Sequence, residues 1–217
     1  MKWVVGIDIG GTKISIVLGT RNGKIIDRDK LKTKHYEKVH ENIHEIIDSI
    51  EKILLNNKLK IRDILGIGVG IPGPIGEHIG IIENAPNLPG WNGINIKKIL
   101  EKKFNRPVFC NNDANAACIA EKLFGKGRNV NSFIYITIST GIGSGIIIND
   151  KIIMGSNNNA GEFGHIIVDF NGIDCSKVFF SFEELEVLQN PRKSWCPTKS
   201  FAARLRMSIF MQKGACQ

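Results

Sequence analysis

The sequence predicts an α/β protein. Three observations support this: short runs of branched apolar residues end at glycines, a long amphipathic segment lies between two of them, and one strand–glycine–strand design occurs twice. In order, Val4 to Ile9 is a strand, and Ile14, Ile16 and Leu18 form a second one ended by Gly19, so Gly10-Gly11-Thr12-Lys13 is the bend of a hairpin. Ile43, Ile46, Ile47, Ile50, Ile53 and Leu54 recur at helical spacing and predict a helix from about Lys38 to Asn56. The run "ILGIGVGIPGPIG" reads as a buried strand ending at Ile71, because Pro72 and Pro74 cannot extend a ladder. Val108 to Cys110 is a further strand, followed by a helix from about Ala114 to Phe124 that stops at Gly125. From Phe133, "FIYITISTGIGSGIII" repeats the opening hairpin around Thr140-Gly141-Ile142-Gly143-Ser144-Gly145.

Composition bounds the setting. The 217 residues are 42% hydrophobic and 23% charged, ordinary for a globular chain and long enough for one large domain or two small ones. No apolar run approaches a membrane span and no signal peptide follows Met1, so the expected place is the cytoplasm, with no membrane partner. Five scattered cysteines suit reduced thiols. The net charge of +8 is dispersed along helical faces without interleaved aromatics, which argues against a nucleic-acid partner.

The two glycine bends carry the chemical signal. The first bend lacks the G-x-G-x-x-G spacing and opens a strand, and the Walker A pattern is absent from the chain, so a nucleotide here would be held by hairpins and not by a P-loop. Gly10 and Gly11 allow close backbone approach, and Thr12 and Lys13 add a hydroxyl donor and a positive charge, a combination suited to phosphate. Asp8 either caps a turn or holds Mg²⁺ through water. In "ENAPNLPGWNGINI" the amides Asn84, Asn87 and Asn92 are either turn formers or, beside Trp91 as an apolar wall, contacts for a hydroxyl-rich ligand. Asp113 is by default an N-cap, yet a carboxylate just past a strand's C-terminal end, between two such hairpins, also suits a general base acting on an alcohol. Glu162 and His165 share a glycine-flanked turn and suit ligand contact or a metal.

"GIDIGGTK", "GVGIPGP", "NAPNLPGW", "NNDANAA", "STGIGSG" and "AGEFGH" stand in the order and spacing of the ROK family, and from Lys2 to about Asp174 the chain resembles its glucokinase-type sugar kinases. The resemblance implies an actin-like ATPase (ribonuclease H-like) α/β fold, with the N-terminal domain complete over residues 1–112, the start of a second over 113–174, and an aberrant tail over 175–217. It implies ATP-dependent phosphorylation of the 6-hydroxyl of glucose or a related hexose, with ATP and Mg²⁺ as cofactors and a homo-oligomer when intact. Asp113 then resembles the catalytic base, and Asn87, Asn112, Glu162 and His165 resemble sugar contacts. Asp8, Gly11, Thr12 and Lys13 resemble the first phosphate loop; Thr140, Gly141 and Gly143 resemble the second.

After Cys175 the chain departs from the family pattern. There a histidine and three cysteines bind structural zinc; here His165 and Cys175 keep their separation while Lys177 and Phe182 replace the next two cysteines, leaving half a tetrahedral site. The following residues show no αβ rhythm, so the chain as written is expected to bind no stoichiometric zinc, to turn over little and to be poorly soluble. Three functions stay open: a hexose kinase, a non-catalytic sugar- or nucleotide-binding fragment, and a ROK repressor. The last is disfavoured because the first strand leaves no room for an N-terminal helix-turn-helix.

Overall fold

In the computed structural model, residues 2–73, 80–83, 85, 87–138, 142–156, 158–166 and the backbone of 210–211 are described; of His165 this holds for the backbone alone. Strands β1 (Trp3–Ile9), β2 (Lys13–Thr20) and β3 (Ile25–Lys32) form an antiparallel meander, and β4 (Ile64–Ile71) and β5 (Val108–Asn112) join β1 in parallel, giving the order β3-β2-β1-β4-β5. A second sheet, β8-β7-β6-β9, is built from β6 (Phe133–Ile138), β7 (Ile142–Ile148), β8 (Lys151–Ile152) and β9 (Phe210–Met211).

Strand alternation explains the core. Val5, Ile7, Ile9, Ile14, Ile16, Leu18, Ile67, Val69 and Ile71 are buried on one face of the first sheet. They pack in one cluster with Ile43, Ile46, Ile50 and Ile53 of α1 (Val39–Asn56) and with Ile96, Leu100 and Phe104 of α2 (Ile96–Phe104). The opposite face carries Gly6, Gly66, Gly68 and Gly70 with Leu65 and Phe109 exposed at its edge, and helix α3 (Asp113–Phe124) crosses it.

Four features differ from the sequence expectation. Strand β3 reads IIDRDKLK, a charged edge strand whose polar alternation conceals it. Helix α2 is short, but its ends are well marked: the Asn95 side chain accepts a hydrogen bond from Lys98 N at 2.8 Å, and Asn105 closes it in the left-handed conformation. Trp91 is fully buried in the core and its Nε1 donates to the Lys34 carbonyl at 3.0 Å, so it offers no wall to a ligand. In the tail, which shows no αβ rhythm by pattern, Phe210–Met211 nonetheless pairs in parallel with Tyr135 and Ile136.

Helix α3 meets the second sheet through glycine. A Cβ on Gly143 would lie 3.1 Å from that of Ala114, and one on Gly145 would come 3.1 Å from the Ala114 carbonyl oxygen and collide with Cys118. Gly145→Ala is therefore expected to cost about 1–3 kcal/mol through overpacking, read as a lower urea midpoint with an unchanged slope; an unchanged midpoint would contradict this packing.

Candidate functional site

The first glycine bend is held from three directions. Gly10 N donates to the Lys13 carbonyl at 3.0 Å, closing the turn. Thr33, buried just past β3, donates its hydroxyl to the Gly10 carbonyl at 2.6 Å and its amide to the Thr12 carbonyl at 3.1 Å. Asn42 of α1, fully buried, fixes the residues flanking Thr33: its Oδ1 accepts from Lys34 N at 2.8 Å and its Nδ2 donates to the Lys32 carbonyl at 3.2 Å. From the remaining side the 87–91 loop arrives, and a Cβ on Gly11 would lie 2.8 Å from the Asn87 carbonyl oxygen. Gly11 thus serves this close approach, and it brings Asn87 beside the bend, with Thr12 and Lys13 exposed at the tip.

Asp113 is placed by the start of α3. The N-cap is Asn112 and not Asp113: the Asn112 Oδ1 accepts from Ala114 N at 2.9 Å and Asn115 N at 3.4 Å, while Asp113 is the first helical residue. Strand β5 runs two residues beyond the sequence expectation, to Asn112, which makes room for this cap. The Asn112 amide also donates to the Gly73 carbonyl at 3.3 Å, so the residue expected to touch sugar also ties the helix start to the loop after β4.

Asp8 and Asp113 line one cleft of about 750 Å³, together with Gly70, Asn111, Tyr135 and Thr137. Thr12, Lys13, Asn87 and Glu162 do not line it. Both carboxyls keep contact with water, yet the cleft walls crowd them: burial pushes Asp113 above the usual carboxylate range, and burial followed by the negative charge of Asp113 does the same to Asp8, with Lys13 opposing. Such a carboxylate pair can accept a proton or hold a hard cation.

Glu162 and the backbone of His165 sit on a turn against β7, with Gly161 against Ser144 and Gly164 against Ile142. Thr140, Gly141, Cys175 and the His165 side chain lie outside the described residues, so the second phosphate bend and the zinc remnant have no structural description here. Gly143 is described, and its bare backbone is required by Ala114 of α3. Among the described residues no cluster of three or more His, Cys, Asp or Glu could hold a metal ion, and no helix is long and apolar enough to cross a membrane.

The ROK family model matches residues 4–177. The chain belongs to the ROK family. Its arrangement is that family's actin-like ATPase α/β fold, seen also in a ROK glucokinase from Streptomyces griseus solved with glucose and AMPPNP, at a TM-score of 0.69 and 32% identity over 79% of this chain and 52% of that one. A glucokinase of Halalkalibacterium halodurans is 36% identical over 176 residues, 81% of this chain and 53% of that protein. A xylose repressor of Caldicellulosiruptor bescii is 36% identical over 173 residues, 80% of this chain and 43% of that protein. The chain thus spans about half the length of the curated relatives it matches. Kinases and repressors of the family resemble it equally, so the sequence argument against a repressor does not stand on resemblance, and fold similarity alone does not separate the two.

Because the folded state raises the Asp113 pKa above that of an exposed carboxyl, ionising it near neutrality opposes folding, and this opposition vanishes as pH falls below the unfolded value. Asp113→Asn is expected to melt at a higher temperature than the unsubstituted chain at pH 7.5, with the gain shrinking toward pH 4. A gain of equal size at both values would show that the carboxylate charge is not its cause.

Proposed function

We propose that the protein is an ATP-dependent hexose kinase, with glucose as the leading substrate and Asp113 as its general base. The observation that carries the reading is the placement of Asp113 beyond the C-terminal end of β5, lining the same cleft as Asp8 and raising the Asp8 pKa by its charge. The Asp113 carboxylate would take the proton of the sugar 6-hydroxyl as that oxygen attacks the γ-phosphorus and ADP departs, and its raised pKa makes the carboxylate a better proton acceptor.

The first bend, with Gly11, Thr12 and Lys13, fits one side of the phosphate chain, and Thr140, Gly141 and Gly143 are assigned to the other. Asn87, Asn112, Glu162 and His165 are assigned to sugar hydroxyls. The oxygen donor Asp8 fits Mg²⁺ held through water, since Mg²⁺ keeps much of its hydration shell and takes one or two carboxylates beside substrate phosphates. When bound, Mg²⁺ supplies neutralisation of the charge on the phosphates. Lys13 holds part of the same positive field, since it already lowers the Asp8 pKa.

A second reading, a sugar-sensing portion of a ROK regulator without turnover, is favoured by the similarity to the xylose repressor. Glucose-dependent ADP release separates the two. In a chain continued after Cys175 by the family's C-x-C-G-x-x-G-C-L-E segment and its helices, release should follow glucose addition, and Asp113→Asn should lower kcat by about 10² or more while glucose still binds. Near-normal kcat in that variant removes the base assignment; glucose binding with no ADP release favours the regulator.

A further inference from the structure

Successive residues of β7 point to opposite sides. Gly143 and Gly145 face α3, whereas Ile142 and Ser144 face the turn that carries Glu162. On that side a Cβ on Gly161 would stand 2.7 Å from the Ser144 carbonyl oxygen, and one on Gly164 would stand 2.6 Å from that of Ile142, so the turn lies flat on the strand. Gly161 has φ +90°, and Glu162 follows with φ −72° and ψ 55°. Phe163 N donates to the Gly161 carbonyl at 2.7 Å. This is an inverse γ-turn with Glu162 at its centre.

A single i to i+2 hydrogen bond is a weak restraint, but the same Gly161 carbonyl accepts a second one, from the hydroxyl of Ser144. Ser144 is 4% exposed, so its hydroxyl has little water to turn to and its rotamer is set by this partner. The other end of the segment is held independently: Ala160 N donates to the Met154 carbonyl at 3.0 Å, and the Asn115 amide of α3 reaches the Met154 sulfur at 3.8 Å.

We propose that Ser144 is a positioning residue: by fixing the Gly161 carbonyl it locks the γ-turn and so sets the direction in which Glu162 is presented to the hexose. The proposal rests on the reading of Glu162 as a sugar contact. It concerns a residue on the strand behind the turn, with no part in phosphate or proton transfer.

The test uses the 217-residue chain with Ser144→Ala and Ser144→Thr, the latter keeping the hydroxyl. Amide exchange at Phe163 is followed by NMR without ligand, and glucose and AMPPNP affinities by calorimetry. Ser144→Ala should speed Phe163 exchange and weaken glucose by about 5- to 10-fold, the size of one hydrogen bond, with AMPPNP affinity unchanged; Ser144→Thr should restore both. Unchanged Phe163 exchange in Ser144→Ala overturns the clamp, and faster exchange with unchanged glucose affinity overturns the positioning role. If the unsubstituted 217-residue chain binds no glucose, the affinities are measured in the chain continued after Cys175, and absence of glucose binding there, with faster exchange in Ser144→Ala, upholds the clamp and overturns its role in presenting Glu162 to a hexose.

Discussion

Helix α3 packs on both sheets at positions where the strands carry no side chain: Gly70 in β4 faces Asp113 and Ala116 at ordinary contact distance, and Gly143 and Gly145 in β7 receive Ala114 and Cys118. A side chain at Gly145 would collide with Cys118, and one at Gly143 would press Ala114 by a few tenths of an ångström, in a packed interior that yields little. The position of Asp113 follows from this contact, because the helix begins at Asp113 and its first turn is the part pressed between the strands. Asn112 adds the direction, capping the helix with one end of its amide and gripping the Gly73 carbonyl with the other.

Around that helix the polar groups divide by role. Asp8 and Asp113 share a cleft in which burial makes ionisation of both harder and the charge of Asp113 adds to the effect at Asp8, which costs stability near neutrality. Thr33, Asn42, Ser144 and Trp91 do not line that cleft. Thr33 and Ser144 hold carbonyl oxygens of the Gly10 bend and the Gly161 turn, Asn42 and Trp91 hold those of Lys32 and Lys34 at the end of β3, and being buried they do so with little competition from water.

The periodic elements were legible because burial was one-sided. The isoleucines of α1 and the alternating branched residues of β1, β2 and β4 announce both their type and their inward face, and the first hairpin bend was found where Gly10 and Gly11 stand. Strand β3 was illegible because an edge strand carries charge at positions a central strand fills with apolar residues. The role of Trp91 could not be read because the sequence does not say that Lys34 offers it a carbonyl 57 residues away. The exchange of cap between Asn112 and Asp113 was a matter of one residue, within the uncertainty of any helix boundary. Of the candidate site, Asp8, Asp113 and the first bend were legible as types in a pattern. The clamps by Thr33 and Ser144 span 23 and 17 residues and leave no local trace.

The meander of β1, β2 and β3 has a bearing on the order in which the molecule assembles. All its pairings, and the Thr33 clamp on Gly10, close within the first 33 residues, so the chain loses little loop entropy in making them. The parallel pairing of β1 with β4 must instead wait for a segment of some 50 residues, including α1, to return. Local contact thus gives the first bend a route to its shape during synthesis, when β4 has yet to leave the ribosome, and the later strands join an edge whose glycine tip is already formed.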